Sequence, residues 1–140
     1  MHVPWILALA SVLAACTPAL QESDMNPELA LTVEPDAVRP ADTVTLTLRN
    51  GTAAEVGYNL CSSTLERRAD GAWQTVPSDR ICTRELRILM PGQEASYPLE
   101  LQPGLAPGEY RFSTGVEQMT AGGRQEVASE PFQVRTGAAP

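Results

Sequence analysis

Thr43-Val44-Thr45-Leu46-Thr47-Leu48 alternates polar and apolar residues without a break. A period of two puts Val44, Leu46 and Leu48 on one face and three threonines on the other, the pattern of a strand with one wet side. The same alternation runs through Leu29, Leu31 and Val33, then Val56, Tyr58 and Leu60. It continues in Leu86 and Ile88, in Ala95, Tyr97, Leu99 and Leu101, in Tyr110, Phe112, Thr114 and Val116, and in Phe132 and Val134. Turn-forming pairs separate these runs, among them Asn50-Gly51, Asp70-Gly71, Pro91-Gly92, Pro103-Gly104 and Gly122-Gly123. With 12 prolines and 10 glycines there is little room for a long helix. Short strands punctuated by turns every ~8–12 residues predict an all-β chain, an antiparallel sandwich of about seven to eight strands.

Two local motifs sharpen this expectation. Asp70-Gly71 joins "LERRA" to "AWQTV", the sequence of a hairpin with a two-residue type I′ turn. Such a loop pairs Ala69 with Ala72 and Arg68 with Trp73. Arg68 then lies beside the indole, either as a cation–π partner or as part of plain cross-strand packing. Leu105-Ala106-Pro107-Gly108-Glu109-Tyr110 has the form of a tyrosine corner, in which a Tyr near the start of a strand bonds back to the chain upstream. A simple Pro-Gly turn before a core Tyr110 is the alternative.

Ahead of this body, Val3 to Ala15 is apolar apart from Ser11. About 13 residues fall short of the ~20 that span a membrane and suit the apolar region of a signal peptide. Leu13-Ala14-Ala15-Cys16 resembles a bacterial lipobox. The resemblance implies cleavage before Cys16, lipidation of its sulfur and acylation of the new amino group. The Lys or Arg usual near the start of such signals is replaced by His2 alone, and an ordinary cleaved secretory signal is the other reading. The chain then divides into a signal peptide (1–15), a lipidated tether (16–27), one sandwich domain (28–135) and a short tail (136–140). The expected location is the cell envelope, lipid-anchored to a bacterial membrane on its extracytoplasmic side. Thr17 does not decide between inner and outer membrane.

Besides Cys16 the cysteines are Cys61 and Cys82. An even pair in an oxidising compartment is expected to form a disulfide, since a two-thiol metal site would lack its other ligands. The formal charge is −7, which argues against a nucleic-acid partner. The only histidine is His2, in the segment expected to be removed, and the chain contains no lysine. Ser-His-Asp, Cys-His, Ser-Lys and Schiff-base chemistry all lack a member. Met25, Met90 and Met119 have no imidazole partner for copper. Asp24, Asp36 and Asp42 stand near strand ends but outside any dense Asp/Asn/Gly loop of the calcium type. The expectation is therefore no cofactor, no metal and no catalytic residue.

The succession "LTVEPDAVRPADTVTLTLRNGT", "LERRADGAWQTVP", "LMPGQEASYPLEL" and "APGEYRF" resembles a bacterial Ig-like domain of the kind found in many small lipoproteins. The resemblance implies an immunoglobulin-like sandwich over nearly the whole mature chain and brings no catalytic residues with it. A fainter similarity is to the intracellular proteinase inhibitor family of bacilli, which implies an alternative in which an exposed loop enters a protease cleft. By elimination the expected function is non-catalytic. The partners would be the membrane, through the lipid, and an envelope protein or polymer. Candidate contact residues are Arg67, Arg68 and Trp73 at the hairpin, because Trp and Arg anchor many interfaces. The small, flexible Thr120–Gly123 tip is the other candidate.

Overall fold

In a computed structural model that describes residues 28–136, the alternation becomes eleven strands. They are β1 (Leu29–Glu34), β2 (Ala37–Val38), β3 (Thr43–Asn50), β4 (Val56–Tyr58), β5 (Thr64–Ala69), β6 (Ala72–Thr75), β7 (Arg87–Leu89), β8 (Glu94–Glu100), β9 (Gly108–Gln118), β10 (Arg124–Ala128) and β11 (Phe132–Val134). One sheet has the order β1-β3-β8. The other runs β2-β11-β9-β4-β7, with β10 also on β9 and with β5 pairing both β9 and β6. The segments expected to be a signal peptide, a lipidated Cys16 and a tether fall outside the described residues, as does the tail beyond Thr136. No helix among the described residues is long and apolar enough to cross a membrane.

Three strands are each broken once, and counting each of them once turns eleven into eight, the upper end of the seven to eight expected. At Pro35 the first strand leaves the small sheet, and β2 continues it in the large one, parallel to β11. Between β4 and β5, which pair with successive parts of β9, the chain makes a 3-10 turn at Leu60–Ser62. Leu60, expected on a strand, is buried within that turn. Between β10 and β11 the ladder on β9 slips by one residue. Pro131 lies in this break and has no N–H to give the ladder. Ser129 bridges it: its Oγ accepts the Phe112 N–H at 3.0 Å and donates to the Glu130 carbonyl at 2.9 Å.

The core lies between the sheets. Val44, Leu46 and Leu48 from β3 are fully enclosed, and Phe112 stacks on Phe132 with centroids 5.7 Å apart. Removing such side chains from water is the main driving force of folding, worth about 1.5–3 kcal/mol each. One strand departs from its simple reading. Leu86 and Ile88 are 41% and 44% exposed, and it is Leu89 that enters the core. Leu86 instead lies over Gly57, whose missing Cβ gives it room.

Asn50 ends β3 and is completely buried. Its Nδ2 donates to the carbonyls of Ala54 at 2.8 Å and Leu89 at 3.0 Å. Its Oδ1 accepts from the backbone N–H of Thr52 at 3.0 Å and from the Thr52 hydroxyl at 2.6 Å. One side chain thus ties the β3–β4 connection to the end of β7, in the opposite sheet.

Candidate functional site

Asp70 and Gly71 have φ of 52° and 77°, the two left-handed residues that a type I′ turn requires. The hairpin pairs Ala69 with Ala72 and Arg68 with Trp73. Alternation then sorts β5 cleanly. Leu65 and Arg67 lie on the core side, while Glu66 and Arg68 point to the outer face of the large sheet.

Two arginines, each paired with a glutamate, stand beside Trp73 on that outer face. The Arg68 guanidinium is 5.5 Å from the ring centre, and that of Arg111, from β9, is 4.5 Å away. Arg111 also bonds Glu66 at 2.6 Å, in a partly buried ion pair. Arg68 reaches Glu109 at 3.7 Å in a more exposed one. The indole is thus flanked by two cations, each held by a carboxylate. Further along β9, Arg124 lies against the bare backbone of Gly115 and pairs with Glu126 at 3.1 Å. The Ser113 hydroxyl donates to the other oxygen of Glu126 at 3.1 Å. The result is a continuous polar ladder on one sheet face, with Trp73 at its edge. Arg111, Glu66 and Glu109 were not among the candidate residues. The inward set on β9 (Tyr110, Phe112, Thr114, Val116) already implied that Arg111 points outward, but the neighbour it meets depends on sheet order.

The structure separates Arg67 from this cluster. Its Nη2 donates to the Pro107 carbonyl at 3.1 Å, and its guanidinium packs on Gly108. Beside it Tyr110 donates its hydroxyl to the Ala106 carbonyl at 2.6 Å, the bond of a tyrosine corner. Burial raises the Tyr110 pKa, and the neighbouring Arg67 charge acts in the opposite direction. Arg67 belongs to the corner, on the other side of the sheet from Trp73. Arg67→Ala is accordingly expected to lower stability by about 1 kcal/mol. Arg68→Ala should stay within ~0.5 kcal/mol. Urea titration of both variants checks this, and equal effects would contradict the assignment.

Cys61 and Cys82 form a disulfide, with Cα atoms 5.8 Å apart. It ties the 3-10 turn between β4 and β5 to the long connection at residues 76–86, which has no regular structure. Arg80 in that connection donates from Nη1 to the carbonyls of Cys61 at 2.6 Å and Ser63 at 3.3 Å. Burial lowers the Arg80 pKa, partly offset by Tyr97. The Thr120–Gly123 tip is held by Gln118 and Gly123, whose backbones bond at 3.0 Å, with Gly122 and Gly123 at positive φ. Glu28 and Leu29 share a depression with Thr120 and Ala121, so the start of the domain and this tip lie at one end. Asp24 lies outside the described residues. Asp42 accepts the Arg39 N–H at 2.8 Å, and among the described residues no three His, Cys, Asp or Glu side chains are placed to hold a metal.

A first strand that switches sheets and runs parallel to the last, an interrupted third strand and a tyrosine corner define an immunoglobulin-like sandwich. The chain belongs to the bacterial Ig-like domain family, whose model matches residues 25–130. Domains of this family are typically non-catalytic modules. No curated protein matches the chain. Among solved structures, a Bordetella pertussis protein described as ApaA is 15% identical, with a TM-score of 0.48 over 80% of this chain and 93% of that one. The sporulation control protein Spo0M from Bacillus subtilis is 18% identical, with a TM-score of 0.40 over 80% of this chain and 49% of that one. The PapD-like domain 7 of human CEP192 is 12% identical, with a TM-score of 0.38 over 96% of this chain and all of that domain.

Proposed function

We propose that this protein is a lipid-anchored, extracytoplasmic binding module of the cell envelope, and that its Ig-like domain meets an envelope protein or polymer through the outer face around Trp73. The observation that carries the reading is Trp73 with Arg68 and Arg111 beside it on the outer face of the large sheet. Aromatic and Arg side chains held in place before contact lose little entropy on binding, which is what makes them anchors. The address rests on the lipobox-like Leu13–Cys16 and on a Cys61–Cys82 disulfide, which is stable where the surroundings are oxidising. Several acyl chains on Cys16 would hold the domain at the membrane essentially permanently.

Radiolabelled fatty acid should enter the wild-type protein, and Cys16→Ser should abolish the label and release the chain from membranes. Cross-linking in intact cells followed by mass spectrometry should recover an envelope partner. Arg68→Ala combined with Trp73→Ala should lower that recovery about tenfold or more, as expected for loss of interface anchors. Equal membrane retention by Cys16→Ser defeats the anchoring reading. Unchanged recovery by the double variant moves the contact away from the hairpin.

A further inference from the structure

β7 has β4 as its one neighbour in the sheet, so its other edge is open. Native sheets usually blunt such an edge against a second chain. The edge strand β8 of the small sheet carries Pro98, and β1 is bridged to Ser129. β7 has neither device, and every residue from Thr83 to Ile88 is exposed. On its outer face stand Leu86, Ile88 and Met90, 41%, 44% and 42% exposed. On the other face Leu89 enters the core, and Glu85 and Arg87 pair at 3.8 Å along the rim. Both ends of the stretch are already committed. The Thr83 carbonyl accepts from Asn59 Nδ2 at 2.7 Å, and the Leu89 carbonyl accepts from Asn50. The Met90 N–H donates to Gln93 Oε1 at 3.2 Å, and its carbonyl accepts the Gln93 N–H at 3.1 Å. The segment open to a new strand is therefore residues 84–88.

We propose that this edge pairs with the same edge of a second copy of the chain, antiparallel and about a two-fold axis at Leu86, so that the large sheet runs on from one copy into the other. The charges select this register. In a two-fold strand pair the residue on the axis faces itself, and residues equally far from it on opposite sides face each other. With the axis at Leu86, Glu85 faces Arg87 of the second copy and Arg87 faces its Glu85, so one contact makes two ion pairs. An axis at Glu85 or at Arg87 sets like charges directly opposite each other, which is destabilising. An axis at Ile88 sets Leu86 against Met90, whose backbone groups are spent, and Glu85 against Pro91, which has no N–H. An axis between two residues sets inner positions against outer ones, which a continuous sheet does not allow.

On the outer face the same register sets Leu86 against Leu86 and Ile88 against Arg84, whose aliphatic stem covers it. Apolar area leaves water in both copies, and the new ladder bonds main-chain groups that the open edge leaves to solvent. Exposed apolar residues alone would suit many partners. The Glu85 and Arg87 pair is more selective, because it asks for a strand with the two charges in reverse order, and an antiparallel copy of this segment is such a strand. The contact uses neither Trp73 nor a lipid, so it stands apart from the reading above.

The test is sedimentation of the full chain in a density-matched detergent, with its disulfide intact. Reversible dimers should form at about 10–100 μM, as suits a small interface. Arg87→Glu and Glu85→Arg should each weaken dimerisation about tenfold or more, because each sets like charges opposite each other twice. Both side chains are exposed, so the melting temperature of dilute protein should stay within about 2 °C of wild type. Mixing the two variants should restore dimers, since each supplies the charge that the other lacks. Leu86→Cys should cross-link to itself under mild oxidation, facing Cβ atoms being ~4.5–5.5 Å apart, and Ile88→Cys should not. A wild type that stays monomeric at about 100 μM, equal dimerisation by the single variants, no recovery on mixing, or faster self-cross-linking by Ile88→Cys would each overturn the proposal. So would cross-links from Leu86→Cys to a different protein in intact cells, with none between copies. None of these results bears on fatty-acid labelling or on the Arg68 and Trp73 variants, so the two readings fail separately.

Discussion

Asn50→Asp is expected to destabilise the domain by about 3–5 kcal/mol at neutral pH, out of all proportion to the exchange of one NH₂ for an oxygen. The carboxamide donates both protons of Nδ2 to buried carbonyls, those of Ala54 and Leu89. A carboxylate at that place would aim a negative oxygen at two carbonyl oxygens in a fully enclosed site. Burial and this repulsion both favour its protonated form, so the introduced group has a folded-state pKa above its unfolded one. The sign follows from linkage. The protonated acid can donate one hydrogen bond, so the loss is smallest at acid pH and deepens as pH rises through the folded-state pKa. Asn50→Leu has similar volume and no charge. It leaves the same two carbonyls and the Thr52 N–H without their partner, and should cost about 2–4 kcal/mol with no such added pH dependence. Urea unfolding between pH 4 and 8 separates the two variants. A loss below ~1 kcal/mol for both would show that the network contributes little.

The second large effect is expected from the disulfide. Cys61→Ser with Cys82→Ser opens a link that closes 21 residues, and the chain-entropy model puts its contribution at about 3 kcal/mol. For a domain of this size that is a fall of roughly 10–15 °C in melting temperature. The wild-type protein should fall by a similar amount in a strong thiol reductant, and the double variant should not respond to it. The loss should be local in its first consequences. With the bond gone, the connection at residues 76–86 keeps the bonds made by Asn59, Arg80 and Gln102 and, at its start, the Val76 N–H to the Leu65 carbonyl, so the amides after residue 76 should exchange faster than those of β3 and β9. Hydrogen exchange on the two forms measures this directly.

The ladder around Trp73 lies on the outer face of the large sheet and Ile81 on the irregular connection between β6 and β7, and the two are held in different ways. Trp73 is held by neighbours across the sheet, Arg68 from the hairpin and Arg111 from β9. Ile81 has almost no neighbours, and its backbone is what is fixed. In both cases the side chains that do the holding are polar, and they use bonds that the β ladder leaves spare.

The local features were readable because each depends on residues a few positions apart. Alternation in Thr43–Leu48 sets which face is wet, Asp70-Gly71 sets a two-residue turn and hence the register of Arg68 against Trp73, and Pro107-Gly108 brings Tyr110 back to Ala106, four residues away. Two cysteines and no competing ligand set sufficed for the disulfide. The rest depended on which strands become neighbours, and period-two patterns do not encode sheet order. Arg111 meets Glu66 across 45 residues of sequence only because β9 lies beside β5. Arg67 is identical in type to Arg68, yet the pleat sends it to the tyrosine corner, where it serves the fold. Asn50, which in the sequence reads as half of a turn, is the buried centre of a network because Leu89 arrives from 39 residues away. Ile81, one more apolar residue among many, is exposed because Arg80 and Cys82 on either side are drawn inward. Short-range sterics and hydrophobic alternation determined most of the strands, the turns and the fold class, with Leu60 and the Leu86–Ile88 run as exceptions. Long-range pairing, which depends on how two sheets close over one core, decided which polar side chains hold that core and which stay on the outer face.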